Sequence, residues 1–217
     1  MADGTVAELS GTAITSTPAS QPPDMEVIDV TTEGDVIFNL ELTRLRVSSV
    51  ILASASPVFK VMLGPAFLEG QDVRSAQCPK EIPLEDESTA MTRLCFLLHH
   101  KRDPQDPASH NISLADGAEG LFTLAVTADK YGCADAVHPT GSSLVSRFVY
   151  KAISTGISME AVLYLIGAAY LLGDHRQFAL LTRRLVMDYS KTYSSLASHP
   201  ATAALSHQFL RKFVTSK

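Results

Sequence analysis

The cysteine and histidine side chains are the residues of this sequence best suited to chemistry. Cys95 lies four residues before His99 and five before His100. On a helix, side chains at i and i+4 share a face, so a thiolate and an imidazole could reach the same metal ion. A structural zinc site takes four protein ligands, and no Cys-x-x-Cys or His-x-x-x-His motif supplies the others. Because Cys95 also falls within an apolar stripe, we predict that it is a buried hydrophobic side chain and not a ligand.

A second pair, Cys133 and His138, could combine a nucleophile with a base. Such a pair also needs a group that orients the imidazole and donors for an oxyanion, and the sequence shows neither. We therefore predict no catalytic residue, no bound cofactor and no metal. An enzyme is the rival interpretation, and a concave pocket with converging polar groups would favour it.

Paired basic residues occur in the C-terminal third, as Arg183-Arg184 and Arg211-Lys212, but no basic stripe extends from either pair. The formal net charge of the chain is -5, which disfavours direct contact with a nucleic-acid backbone. We interpret both pairs as parts of solvated helix faces. A DNA-binding protein is a further rival, and a basic face in the folded structure would favour it.

The composition, 217 residues of which 46% are hydrophobic and 19% charged, suits one globular domain with a helical extension. The longest apolar run, Ala161 to Leu172, is shorter than the ~20 residues of a membrane span. The first residues lack the basic start and apolar core of a secretory signal. Three widely spaced cysteines favour reduced thiols and an intracellular location, with nucleus and cytoplasm both left open.

The order of secondary-structure signals predicts an α+β fold that is mostly helical. Residues 1–24 are rich in Ser, Thr, Ala and Pro, which predicts a disordered tail. Three short apolar segments between Val27 and Val47 predict a meander of strands, and Ile82-Pro83-Leu84 predicts an edge strand. From Asp86 onward helices dominate, and three of them have N-cap signals: Ser113, Ser158 and Asp174.

The segment from Arg46 to Gly70 contains two short helices in succession. Ser48 or Ser49 can cap the first, Val50 to Ala55, which has almost no polar side. A helix that is apolar all round must be covered on both faces. We therefore expect one face to pack on the core of its own chain and the other to bind a partner. Ser56 caps the second helix, with Pro57 at its first position and Val58, Phe59 and Met62 facing the core. Gly64-Pro65 ends it, with Gly64 in the left-handed conformation.

Four motifs in this part of the chain resemble the BTB/POZ domain, in particular its fungal branch. They are GDVIFNL (Gly34 to Leu40), LRVSSVILASASPVFKVML (Leu45 to Leu63), EIPL (Glu81 to Leu84) and ADKY (Ala128 to Tyr131). They assign residues 25–153 to a BTB/POZ-like domain and residues 154–217 to a C-terminal helical extension. The chain departs from the animal pattern, which has a His-Lys pair where Ser48-Ser49 stands here.

The resemblance implies a small sheet flanked by helices and a non-enzymatic protein–protein interaction module. It implies a homodimer with the contact on the helix Val50 to Ala55, so that Val50, Ile51 and Ser54 would lie against the same residues of the second copy. Its partners would be transcription or chromatin proteins, for which it would act as a scaffold or adaptor.

A substrate adaptor of a cullin-RING ubiquitin ligase is the alternative that the resemblance offers. Members that bind a cullin often have a bulky apolar residue, any residue and then Glu in the helix after the EIPL-like strand. Here those positions are Ala90, Met91 and Thr92, so both informative positions depart. The helices after residue 157 favour this alternative, because similar helices support cullin binding in the family.

Overall fold

The computed structural model of the chain describes residues 27–65, 74–102, 113–155, 158–188 and 199–203. The predicted tail (1–24), the pair Arg211-Lys212 and most of the helix predicted after Pro200 lie outside these residues. Four strands, β1 (Val27–Asp29), β2 (Val36–Asn39), β3 (Arg44–Val47) and β4 (Lys80–Pro83), form one mixed sheet.

The order of the strands is β1-β3-β2-β4, with β2 antiparallel to β3 and the two outer strands parallel to their neighbours. The antiparallel return from β2 to β3 is confirmed, but the predicted meander is wrong, because β1 pairs with β3 and not with β2. The side of β2 that β1 would need is occupied by β4, and Val36, Ile37 and Phe38 of β2 are all buried. A strand covered on both faces takes an inner position in the sheet, between β3 and β4. The prediction that β4 is an edge strand is confirmed, in agreement with Pro83.

Eight helices follow within the described residues, and the described chain is mostly helical α+β, as predicted. Their bounds are α1 (Ser49–Ala55), α2 (Pro57–Met62), α3 (Ser88–Leu98), α4 (Leu114–Lys130), α5 (Ala134–Thr155), α6 (Met159–Leu171), α7 (His175–Asp188) and α8 (Pro200–Ala203). The predicted caps are confirmed: Ser113, Ser158 and Asp174 each accept the backbone N–H three residues ahead. Each is a local interaction that sequence spacing can reveal.

The interior of the described chain is one continuous apolar cluster that joins the sheet to the helices. Met91, Leu94, Cys95 and Leu98 of α3 are buried in it, as their spacing predicts. All the residues from Ala161 to Ala169 in α6 are also buried, because α6 lies against α4, α5 and α7. A helix that is apolar on every side is stable only in such surroundings.

Phe59 of α2 lies where the sheet meets the helices. Its side chain is fully buried, and its ring stacks on Phe38 of β2 and on Tyr131 after α4, with centroid distances of 5.8 and 4.3 Å. Ser56 sets this position, because its hydroxyl accepts the Phe59 N–H at 2.9 Å and so begins α2 one turn before the ring.

Two predictions about α2 are wrong. Val58 is 40% exposed, because a helix of six residues has one inward side and Phe59 occupies it. Gly64 does not adopt the left-handed conformation, which among the described glycines occurs at Gly132 and Gly173. Its N–H bonds to the Val61 carbonyl at 3.1 Å instead, so α2 ends in a tight turn that needs no positive φ.

We predict that Phe59→Ala lowers the free energy of unfolding by about 3–5 kcal/mol, the usual range for truncating a buried phenylalanine. This loss is large against the ~5–15 kcal/mol of a typical domain, so the variant should unfold at much lower urea concentration. Val58→Ala, at the preceding position that is 40% exposed, is the matched control and should cost about 1 kcal/mol or less. Equal urea midpoints for the two variants would contradict the central place of Phe59.

Candidate functional site

The outer face of α1 is the surface predicted from the sequence to contact a partner. The structure divides this helix into two sides: Leu52 is fully buried, whereas Val50 is 75% exposed. Ser54 is exposed beside it, and Ile51 is half-buried between the two sides. Within the described residues, the helix is therefore covered on one face only. The three residues predicted to meet a partner thus include two that are open to solvent and one that is partly covered.

The N-terminus of α1 is held by side chains that are distant in sequence. Ser48 occupies the N-cap position, but its side chain makes no capping hydrogen bond, so the prediction of a serine cap is wrong. Asp35, just before β2, takes that part: one carboxylate oxygen accepts the Ser49 N–H at 2.8 Å and the other accepts the Ser49 hydroxyl at 2.6 Å. A carboxylate at a helix N-terminus also interacts favourably with the helix dipole.

Asp35 also pairs with Arg74, whose Nε lies 3.1 Å from its second oxygen. Burial acts to raise the pKa of this carboxyl group, but the hydrogen bonds from Ser49 and the charge of Arg74 outweigh it and lower the pKa. Asp35 is consequently a charged acceptor at neutral pH. Arg74 further donates to the Leu63 carbonyl at 2.9 Å, so one guanidinium joins the start of α1 to the end of α2.

His99, at the end of α3, provides the second contact with α1. Its Nε2 accepts the Ser48 N–H at 2.9 Å, and its Nδ1 lies 2.7 Å from the Cys95 carbonyl oxygen. Because a carbonyl can only accept, Nδ1 carries the proton and Nε2 presents a lone pair. Burial is the largest cause that lowers the pKa of this imidazole. His99 is therefore a neutral structural side chain.

The contacts of His99 argue against a metal ion held by Cys95, His99 and His100. The Cys95 thiol is fully buried, which raises its pKa, whereas His100 is exposed and does not belong to the core cluster. Both ring nitrogens of His99 already have partners. Among the described residues, no group of three His, Cys, Asp or Glu side chains could hold a metal ion.

Cys133 and His138, the second pair, form hydrogen bonds with different backbone carbonyls. The Cys133 thiol donates to the Ala128 carbonyl at 3.4 Å, and burial raises its pKa to about 11. His138 bonds through Nδ1 to the Leu172 carbonyl, 2.6 Å away. The sulfur and the imidazole thus have different partners, and the structure does not assemble a nucleophile and base from them.

The junction between α1 and α2 is also anchored to a distant segment. The Ser56 hydroxyl donates to the Tyr131 carbonyl while it caps α2. The phenolic O–H of Tyr131 in turn donates to one carboxylate oxygen of Asp86 at 2.6 Å, and the Lys130 ammonium donates to the other oxygen at 2.6 Å. We call residues 49–62 the α1–α2 unit; it is fixed to the sheet, to α3 and to the end of α4.

The sequence also contains a basic pair, now located on α7, and three positions of α3 that were compared with a cullin contact. Arg184 pairs with Asp188 one turn ahead on α7, at 3.2 Å, and Arg183 is exposed. Ala90, Met91 and Thr92, the positions compared with a cullin contact, are all buried in α3. No helix in the described ranges has both the length and the apolar character needed to cross a membrane.

Comparison with models of known protein families and with curated proteins finds no match for this chain.

Sequence reasoning missed Asp35, Arg74 and His99 as determinants of the α1 surface. Asp35 carries one weak signal, a lone carboxylate beside an apolar strand. His99 was noticed only for its spacing from Cys95. The contacts span 14 residues from Asp35 to Ser49 and 51 from His99 to Ser48. No local pattern contains both ends of either contact.

We predict that Asp35→Ala lowers the free energy of unfolding by about 1.5–3 kcal/mol, since hydrogen bonds to a charged group are lost and buried donors are left unpaired. Urea unfolding monitored by circular dichroism measures the loss. Asp29→Ala is the matched control, because Asp29 is an exposed carboxylate 3.8 Å from Arg46 and should contribute about 0–1 kcal/mol. If both variants unfold at the same urea concentration as the wild type, the Asp35 contacts do not stabilise the fold.

Proposed function

We propose that this chain is a non-enzymatic protein–protein interaction module of the BTB/POZ type that forms a homodimer through the outer face of α1. The observation that carries the proposal is the exposure of Val50 on a helix whose opposite side, at Leu52, is fully buried. The four motifs that resemble the BTB/POZ domain support it, as does the α+β architecture with a small sheet among helices.

Exposed apolar residues continue from α1 into α2. Val50, Val58 and Val61 are 75%, 40% and 56% exposed within twelve residues of sequence. Burying a fully exposed valine is worth about 1.5 kcal/mol or more and a partly exposed one proportionately less, so a few of them on each copy can support association. The α1–α2 unit is already fixed by hydrogen bonds at both ends, which reduces the entropy lost when a partner binds.

A second copy is the partner that fits this face best. In a two-fold dimer each copy presents the same patch, so Val50, Ile51 and Ser54 would meet their own counterparts. A small serine at the centre of such a contact allows close approach of two helices. In this proposal the dimer recruits other proteins as a scaffold or adaptor, of the kind used in transcription and chromatin.

We predict that the wild type has twice the 23.3 kDa chain mass in solution and that Val50→Lys is a folded monomer. Val50 is largely exposed within the chain, so lysine should be accepted by the fold, whereas a lysine buried without a counter-ion is costly in a dimer contact. Ile51→Lys tests the neighbouring position. Light scattering gives the mass, and circular dichroism verifies the unchanged helical content.

Leu42→Lys is the matched control for the dimer, because Leu42 is 76% exposed but lies in the turn between β2 and β3. It should remain dimeric. A wild type that is monomeric at about 50 μM, well above the Kd of a stable interface, would contradict the proposal. Dissociation by Leu42→Lys but not by either α1 variant would place the contact elsewhere.

The cullin-adaptor alternative leads to a different prediction. Ala90 and Thr92 replace the bulky and acidic positions of the family's contact, and their side chains are buried in this fold. We therefore expect weak or undetectable binding to a purified cullin N-terminal domain in a pull-down. A sub-micromolar Kd would show that cullin binding uses other residues and would make the adaptor the preferred function.

A further inference from the structure

We propose that the contact between His99 and Ser48 makes the α1 surface sensitive to pH: neutral His99 holds the N-terminus of α1, and protonation of His99 releases it. The release of α1 follows from the structure of the single chain. Its consequence, weaker self-association at mildly acidic pH, rests on the proposed function.

The chemistry of the contact allows one protonation state. The Ser48 amide can only donate, so Nε2 of His99 must present a lone pair across the 2.9 Å between them. Protonation at Nε2 would set two N–H groups against each other. Rotation of the ring by 180° gives no escape, because it replaces both nitrogens with carbons and breaks the bonds to Ser48 and to the Cys95 carbonyl.

The bond at Nδ1 does not oppose this change. Nδ1 donates to the Cys95 carbonyl in the neutral imidazole and would still donate in the imidazolium. The two states differ only at Nε2, where the helix begins. A released Ser48 amide also leaves α1 with one more unpaired N–H at its N-terminus, which weakens the first turn.

The surroundings of His99 disfavour the charged form. The ring is buried, and Lys101 and His100 add unfavourable charge from the same segment of chain. The thiol of Cys95 is neutral because burial raises its pKa. Asp35, the carboxylate at the same helix N-terminus, is engaged by Ser49 and Arg74.

The direction of the pH dependence follows from linkage. The pKa of His99 in the folded chain lies below 6.5, the value of a free histidine, so the released state binds a proton more readily than the closed state. The contact is therefore intact above about pH 6.5 and is lost as the pH falls through the lower folded value. Burial also lowers the pKa of His199, so a global unfolding curve would mix two histidines.

A local measurement separates them: hydrogen exchange of the Ser48 and Ser49 amides in the full chain at about pH 7.5 and pH 5.5. We expect the protection factors of these amides to fall at the lower pH, by about tenfold at most, because pH 5.5 lies about one unit below the pKa of a free histidine. His99→Gln keeps an acceptor near Nε2 but cannot titrate, so its protection should not change with pH. His100→Asn, at an exposed position whose φ of 52° suits asparagine, is the matched control. It leaves His99 titratable, so its protection should still fall at the lower pH, although the nearby charge of His100 is removed.

Equal wild-type protection at the two pH values, or an equal fall in His99→Gln, would overturn the proposal. If His99→Gln does not fold, proton–nitrogen correlation spectra of the wild-type histidines decide the matter. The proposal requires the Nδ1–H tautomer at His99 at neutral pH and a His99 pKa below 6.5, the value of a free histidine. An Nε2–H tautomer would exclude it.

Sedimentation equilibrium at the same two pH values tests the consequence for self-association. The dimer dissociation constant should rise at low pH in the wild type and in His100→Asn, but not in His99→Gln. A monomer at both pH values would contradict the proposed function. The exchange experiment would then still test whether protonation of His99 releases the Ser48 amide. A dimer whose dissociation constant does not change, while the exchange does, would show that α1 release is not coupled to association.

Discussion

The fold around α1 depends on satisfying the backbone N–H groups at the start of that helix. The first N–H groups of any helix lack intrahelical partners, and leaving them unpaired away from water is costly. Here Ser48 and Ser49 are supplied with acceptors by the neutral imidazole of His99 and the ionised carboxylate of Asp35. Neither acceptor is near in sequence, so α1 takes up its position only when the sheet and α3 are in place.

These two acceptors connect three parts of the structure. Asp35 precedes the inner strand β2, and its backbone carbonyl also accepts the Lys80 N–H at 3.0 Å, where the edge strand β4 begins. His99 follows the last residue of α3, a helix whose buried face forms part of the core. Arg74 and Ser56 then fix the remainder of the α1–α2 unit. The result is a short helical platform, held by hydrogen bonds to distant segments, that carries exposed valines.

The two acceptors also differ in how they respond to pH. The Asp35 pKa is lowered, so its carboxylate stays charged far below neutrality, whereas His99 functions only while it is uncharged. One contact is therefore permanent under ordinary conditions and the other is adjustable. A helix held by both would lose only part of its anchorage in mild acid, which favours local release over unfolding of the whole domain.

The sequence by itself determined the features that arise within a few residues. Ser56, Ser113, Ser158 and Asp174 cap their helices through bonds to the third residue ahead, and the apolar spacing of α3 reports its buried face. Tertiary structure alone decided the pairing of β1 with β3, the exposure of Val58 and the acceptors for α1. Each of these depends on which surface is covered by a distant segment, because strand position, burial and long-range hydrogen bonds are properties of the packed chain and not of any short window.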